Sequence, residues 1–281
     1  MSRSFWSSLV AVVLLGAGPR AQPAPPAYEV YAVRFADVPY SLASLVAGAE
    51  RGRSIEIAFT VWVVRDPASA RVVLVDAGFY RAKFLQQWHP NHFVKPSDAV
   101  MQGLGIAPDA VTDIIVSHSH WDHADGVDLF PRAKIWIQKD EYEYYVGANG
   151  EVLHRGGVDA DDAKMIAGLT AAGRVGLVDG DDREILPGIR VYTGGKHTFA
   201  SQFAGVSTRA GTVILASDNA YLYENLEKHL AIAQTLDAAS NLAAQDRMLK
   251  LAATPRLVVP GHDPAVFERF PVVKPGVVRI D

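Results

Sequence analysis

Six consecutive positions, His118-Ser119-His120-Trp121-Asp122-His123, hold three histidines and a carboxylate as H-x-H-x-D-H. Imidazole nitrogen and carboxylate oxygen together suit Zn2+ and similar first-row ions. The stretch before them, residues 111–116, is apolar and β-branched and reads as a buried strand. The ligand-type residues therefore begin where a strand ends, at a rim rather than in a core. Three later segments repeat that setting: residues 191–196 lead to His197, 213–216 to Asp218, and 257–259 to His262. Strand ends on one rim of a layered fold converge on a cleft. The set divides evenly. His118, His120 and His197 can hold one ion, Asp122, His123 and His262 a second, and Asp218 can bridge them with its two oxygens. Two ions ~3.5–4 Å apart share a water or hydroxide whose pKa falls toward neutral, a nucleophile that needs no Ser, Cys or Lys. Asp76 follows another apolar run and is placed to orient a ligand histidine from behind.

Strands and helices must alternate to bring those ends together. Residues 28–35 alternate as a strand, and 40–49 have helical spacing or form an ordered loop. Residues 55–64 and 71–75 are β-branched runs flanking Asp66-Pro67, which predicts a hairpin. Short helices are expected over 79–88, 100–104 and 140–145, and a longer one over 159–172. Strands are expected at 134–137, 175–178, 189–192 and 211–216. Residues 236–253 read as an amphipathic helix with Leu242, Met248, Leu249 and Ala252 on one face, and 257–259 as the last clear core strand. Each half alternates strands and helices, which suggests two sheets face to face with helices outside. Residues 28–281 are kept as one domain, because no composition shift divides them.

Composition narrows the function. The 281 residues are 49% hydrophobic and 21% charged, ordinary for a globular protein with a sizeable core. The formal charge is −4 with no long basic run, which argues against a nucleic-acid partner. There is no cysteine, so disulfides, thiolate metal sites and thiol nucleophiles are excluded. Residues 1–21 have the pattern of a secretory signal: Arg3, the apolar run 9–15, then Gly16, Ala17, Gly18 and Ala21. That run is far shorter than the ~20 residues of a span. The expectation is a periplasmic or secreted protein with no stable membrane anchor after cleavage. Residues 22–27 form a Pro-rich linker.

Taken together, H-x-H-x-D-H followed by His197, Asp218 and His262 resembles the metallo-β-lactamase superfamily over residues 28 to about 270. The resemblance implies an α/β fold, a four-layer αββα sandwich, and two divalent metal ions, most often Zn2+, with Fe, Mn or Co as alternatives. Within the superfamily the chain looks most like the N-acyl homoserine lactonases. In that family a tyrosine lies three residues after the bridging Asp, where this chain has Tyr221, and an aromatic precedes the Asp of the first motif, where it has Trp121. Glu224-Asn225-Leu226-Glu227 also resembles the family. The likeness implies lactone opening, as in quorum quenching, by attack of a metal-bridging hydroxide. Tyr221 would polarise the carbonyl, Asp218 would shuttle the proton, Asp122 would also serve the catalysis, and Trp121 and Tyr221 would contact substrate. One position departs: the family usually has H-T-P-G where this chain has His197-Thr198-Phe199-Ala200.

Other readings of the same residues stand beside these. An arylesterase, a phosphotriesterase-like or β-lactamase-like hydrolase, or an iron-dependent sulfur dioxygenase would use the same ligands. His89, His92, His154 and His229 read as ordinary residues. Tyr142, Tyr144 and Tyr145 read as a packed helix face. Phe35, Tyr40, Leu42 and Phe79 are candidates for an apolar acyl pocket. The expected partner is a small lactone or ester, with a homodimer carried as an expectation.

Overall fold

The computed structural model describes residues 27–281; the signal-like stretch and all but the last residue of the linker lie outside the described residues. The chain opens on two long strands, β1 (Glu29–Ser41) and β2 (Ser54–Arg65), paired antiparallel along their whole length. β3 (Val72–Val75) completes the hairpin expected around Asp66-Pro67. Next come α1 (Ala82–Trp88), the two-residue β4 (His92–Phe93), α2 (Pro96–Leu104) and β5 (Asp113–Ile115). The short α3 (Trp121–Ala124) precedes β6 (Lys134–Gln138), α4 (Lys139–Tyr145), α5 (Ala160–Ala171) and β7 (Val175–Val178). A second run holds β8 (Arg183–Leu186), β9 (Ile189–Thr193), β10 (Gln202–Thr208) and β11 (Gly211–Ser217). It continues with α6 (Tyr223–Lys228), α7 (Ala238–Leu251), β12 (Val258–Pro260), α8 (Val266–Arg269), β13 (Val272–Lys274) and β14 (Val277–Arg279).

The strands form two sheets. One runs β13-β14-β1-β2-β3-β5-β6-β7, with β4 beside β1; the other runs β12-β11-β10-β9-β8. Alternate residues of β1 point to opposite sides, and both sides are apolar. Val30 and Ala32 join Trp62, Val73 and Ile115 against Val191, Phe203, Val213 and Leu215 of the facing sheet. Tyr31, Val33 and Phe35 join Leu74, Ile114, Val100 and Ile166 on the outer, helix-covered side. Met248 of α7 packs on the far side of the second sheet. These are the four layers αββα.

Strand direction explains where the ligands gather. β3, β5, β6 and β7 are parallel, and so are β11 and β12. β9 is antiparallel to β10, and β10 to β11, so β9 runs with β11. Asp76, His118, His197, Asp218 and His262 therefore all follow strands that end on one rim.

Several expectations are corrected. β1 runs on through Ser41, two residues into the stretch expected as helix or loop, because β2 offers it a partner as far as Ser54; a short 3-10 turn over Leu42–Ser44 follows. β8 and β10 were not foreseen, and neither were β13 and β14 beyond residue 259. β14 completes the edge of β1, with Val277 and Val278 buried. α7 buries Asn241, Ala244 and Gln245 beside the expected Met248, with Leu249 and Ala252 partly buried against the same core. Asn241 is paired at both ends: its Oδ1 accepts the Ile232 N–H at 3.0 Å and its Nδ2 donates to the Asn219 carbonyl at 2.9 Å. Gln245 Nε2 donates to the Leu230 carbonyl at 3.0 Å. Buried polar groups are tolerated when so paired, and the pairing ties α7 to the segment that follows Asp218. No helix among the described residues is long and apolar enough to cross a membrane.

Behind the first motif, one guanidinium serves three carboxylates. Arg81 pairs with Asp125 and with Asp162 at 2.7 Å, and reaches Asp128 at 3.2 Å. Asp125 and Asp162 are fully buried. Burial first, and the neighbouring Asp125 second, push the Asp162 carboxyl far above the ordinary range. The folded state then holds a proton that the unfolded chain has released, so this site's contribution to stability falls as pH rises above the normal carboxylate range. Asp162→Asn keeps a donor toward Asp125 without the proton. The variant is expected to melt at or above wild type at pH 9 and close to it at pH 5. A lower melting temperature at pH 9 would show that the ionised carboxylate was the favoured form.

Candidate metal centre

The structure brings all seven expected ligands together. His118, His120, His197 and Asp218 offer ligand atoms within 4.8 Å of one another, and so do Asp122, His123, Asp218 and His262. Asp218 belongs to both groups and divides its oxygens between them. Oδ1 faces His262 Nε2 at 3.0 Å and His123 Nε2 at 3.3 Å; Oδ2 faces His197 Nε2 at 3.2 Å and His118 Nε2 at 3.6 Å.

Hydrogen bonds behind the rings fix which nitrogen faces inward. His197 Nδ1 lies 2.8 Å from the Gln234 carbonyl and His262 Nδ1 3.2 Å from the Ala58 carbonyl. A carbonyl only accepts, so Nδ1 carries a proton in each and Nε2 is the nitrogen turned inward. His123 Nδ1 is held at 2.8 Å by Asp76 Oδ2, the position expected of Asp76. Asp76 also accepts from Ser117 N–H at 2.8 Å and from the hydroxyls of Ser117 and Ser217 at 2.9 and 3.0 Å. One carboxylate thus links the ends of β3, β5 and β11. His120 Nδ1 and His197 Nε2 meet at 3.0 Å.

These groups fit metal ions. His118 Nε2, His123 Nε2 and Asp218 Oδ1 are buried with no hydrogen-bond partner, an arrangement that is costly for protein atoms alone. Burial and the neighbouring rings hold His118 well below the usual imidazole range, and His120 is held at about 3 by burial first and His197 second. Both are neutral, as ligation requires. Burial opposes the charge on Asp218, but His123 and His262 outweigh it and keep the carboxyl well below its ordinary value.

The centre floors a cavity of about 700 Å³. Trp121 forms one wall, stacked on Phe84 with centroids 4.6 Å apart and on Trp88 at 5.5 Å. Tyr221 reaches the same floor, its hydroxyl 3.3 Å from His197 Nδ1. Burial, then the charges of Asp218 and Asp122, push its hydroxyl well above the usual phenol range, so it stays protonated. Of the apolar pocket candidates, Tyr40 lines the cavity, while Phe35, Leu42 and Phe79 sit in the helix-side core. Tyr145 also lines the cavity, although its cluster read as helix packing. His89, His92, His154 and His229 stand outside both ligand groups.

Two glycines allow the loops to close on the site. A Cβ at Gly157, which has φ +86°, would lie 2.6 Å from the His120 ring. A Cβ at Gly194 would collide with the Asn219 amide, whose Oδ1 accepts the Gly195 N–H at 2.6 Å. Sequence reading missed Asn219 and the fully buried Glu141. Its available signal for Asn219 was adjacency to Asp218; Glu141 gave none.

The family model for the metallo-beta-lactamase superfamily matches residues 60–262, from β2 through the last ligand histidine. The chain belongs to that superfamily. An N-acyl homoserine lactonase of Bacillus thuringiensis is 29% identical over 167 residues, 58% of this chain. The match spans 60% of that relative's own length. A solved quorum-quenching N-acyl homoserine lactone lactonase superposes with TM-score 0.72 at 20% identity, covering 90% of this chain and 98% of its own. AidC, a dizinc quorum-quenching lactonase with a product bound, superposes at 0.64 with 15% identity, covering 92% and 95%. At these identities the solved structures speak to the fold.

In this member of the superfamily the departure at Phe199-Ala200 has a visible consequence. The Phe199 ring stacks on Tyr144 at 4.0 Å and 3°, and Tyr144 stacks on His154 at 3.9 Å. Phe199 N–H donates to the Tyr145 hydroxyl at 3.3 Å. Proline has no such N–H to give.

Proposed function

We propose that this chain is a metal-dependent hydrolase that opens a lactone ring, with N-acyl homoserine lactones as the substrate class. The observation that carries the reading is Asp218 shared between two ligand groups, with Tyr221 beside them on the floor of an aromatic-walled cavity. The N-acyl homoserine lactonase relatives support it. His118, His120 and His197 would hold one divalent ion, most often Zn2+, and Asp122, His123 and His262 the other, with Asp218 between. Bound there, the pair supplies Lewis-acid polarisation and an activated water.

The chain's own residues do the rest. The wall of Trp121, Phe84 and Trp88 takes the apolar acyl chain out of water. Tyr221, kept neutral, donates its O–H to the carbonyl oxygen as that oxygen gains charge. Attack of water at the carbonyl carbon forms one C–O bond, and the ring C–O bond then breaks to leave an alkoxide. Histidines face both oxygens of Asp218, whereas on Asp122 they face Oδ2, 3.4 Å from His123 Nε2 and 3.8 Å from His262 Nε2, and the side chain is 14% exposed. Asp122, rather than the Asp218 of the sequence-based expectation, would carry the proton from the attacking water to the alkoxide. The product is a hydroxy acid. Export of the chain rests on the sequence of residues 1–21 alone.

A panel of acyl homoserine lactones, aryl esters, a phosphotriester and a β-lactam, run on metal-loaded protein, tests the reading. Lactones are expected to have the highest kcat/KM. A tenfold preference for another class would replace lactone as the substrate, and oxygen consumption with a thiol substrate would point to the dioxygenase reading instead.

A further inference from the structure

We propose that Glu141 is the positioning residue for the His118–His120–His197 half of the metal centre. It rests on the metal reading above, and the test below separates the two. Glu141 lies in α4, directly after β6, and is fully buried. Its Oε1 accepts the Ser119 N–H at 2.9 Å, and its Oε2 accepts the Ala200 N–H at 2.8 Å. Ser119 stands between His118 and His120, and Ala200 lies three residues after His197. One carboxylate therefore holds both loops that carry this half of the centre, loops that leave different sheets.

The surroundings show what the charge is for. Among the described residues no cation pairs with Glu141; its neighbours are N–H and O–H donors. The buried hydroxyls of Ser119 and Thr198, which have no hydrogen-bond partner, lie near the same carboxylate. Tyr145, one helical turn further along α4, accepts the Phe199 N–H, so consecutive N–H groups of the His197 loop meet acceptors at i and i+4. The other half of the centre has its own supports, of which Asp76 also reaches His118 through Ser117, whose hydroxyl lies 2.9 Å from His118 Nδ1. His123 leans on Asp76 and His262 on the Ala58 carbonyl, and Glu141 touches neither.

The consequence is selective. Glu141→Gln keeps the size but turns one acceptor into an NH2 that faces an N–H donor, so one loop is released. Outer partners of this kind are worth about 10–100-fold in metal affinity. Titrating metal-free full-length protein with Zn2+ against a chromophoric chelator gives a dissociation constant for each ion. In Glu141→Gln one constant is expected to rise by about 10–100-fold while the other stays within threefold. Glu141→Asp, which keeps the charge but shortens the reach, is expected to fall between the variant and wild type. Equal weakening of both ions, or of neither, would overturn the proposal. Wild type that binds no Zn2+ would overturn the metal reading itself. Thermal melts of the metal-free variants identify a general loss of fold, which would weaken both ions alike and so also count against Glu141.

Discussion

Asp218→Ala is expected to lower bound metal from about two equivalents per chain to one or fewer, and kcat/KM by about a thousandfold or more. The expectation follows from how the carboxylate is divided. Oδ1 lies between His123 and His262, and Oδ2 faces His118 and His197. Removing it takes a ligand from both halves of the centre at once, where any single histidine belongs to one. It also removes the only carboxylate among the described residues that faces all four of those rings, which then compete for whatever positive charge remains. Lewis-acid polarisation contributes several kcal/mol of transition-state stabilisation, and each 1.36 kcal/mol is a factor of about ten in rate. Asp218→Asn keeps the shape and tests charge alone; it is expected to retain more fold than Asp218→Ala while losing metal similarly. Metal analysis by emission spectrometry and steady-state kinetics on the same sample read the outcome. A full metal complement with kcat/KM within tenfold of wild type would remove Asp218 from the bridging position.

The ligand residues were legible because the H-x-H-x-D-H spacing marks four of them and His197, Asp218 and His262 each follow an apolar strand. A strand has to end somewhere, and a His or Asp there costs the core nothing. The same rule found Asp76, since Val72–Val75 is a plain buried strand. It failed for the residues that hold the loops. Glu141, Gln202, Asn241 and Gln245 are fully buried, yet each lies on a helix or strand whose sequence presents it as a surface residue. Their burial is made tolerable by partners far along the chain: Gln202 Nε2 donates to the Val116 carbonyl, for example, at 2.8 Å across the two sheets. Periodicity counts apolar residues and is silent about a polar side chain satisfied by a distant carbonyl. The same blindness hid Asn241 and Gln245 on the buried face of α7. Strand β14 escaped for another reason: Val277–Arg279 is three residues long, and only the free edge of β1 makes it a strand.

Motif and loop chemistry also separate in what they decide. H-x-H-x-D-H with His197, Asp218 and His262 fixes a metal centre common to many reactions. What differs from one reaction to another is the cavity above it. Here that cavity is set by residues outside the motif: Trp88 and Phe84 on α1 brace Trp121, and the stack of His154, Tyr144 and Phe199 joins α4 to the His197 loop. Phe199, the departure from the lactonase pattern, is part of that stack, so it bears on the loops around the cavity while His197 keeps its place among the ligands.

Tyr221→Phe is expected to lower kcat by about 10²–10³-fold with bound metal unchanged, the usual cost of losing one oxyanion donor. Its hydroxyl is not needed to hold His197. The Gln234 carbonyl takes the Nδ1 proton at 2.8 Å, and the Tyr221 oxygen stands further off at 3.3 Å. The phenol proton is therefore free to point into the cavity, toward a substrate carbonyl. A donor that strengthens as the oxygen becomes anionic acts on the transition state more than on bound substrate, so the loss should appear in kcat and little in KM. The pH dependence has a definite sign as well. Burial and the charges of Asp218 and Asp122 raise the phenol above its ordinary value, so it stays a donor through the whole neutral and mildly alkaline range. Wild type and Tyr221→Phe should then share the same pH profile below pH 10, displaced vertically. The measurement is kcat and KM against pH for one lactone, with metal content determined on each preparation. A kcat within threefold of wild type would reduce Tyr221 to part of the cavity wall, and an alkaline limb near pH 8 present only in wild type would show that the phenol ionises there.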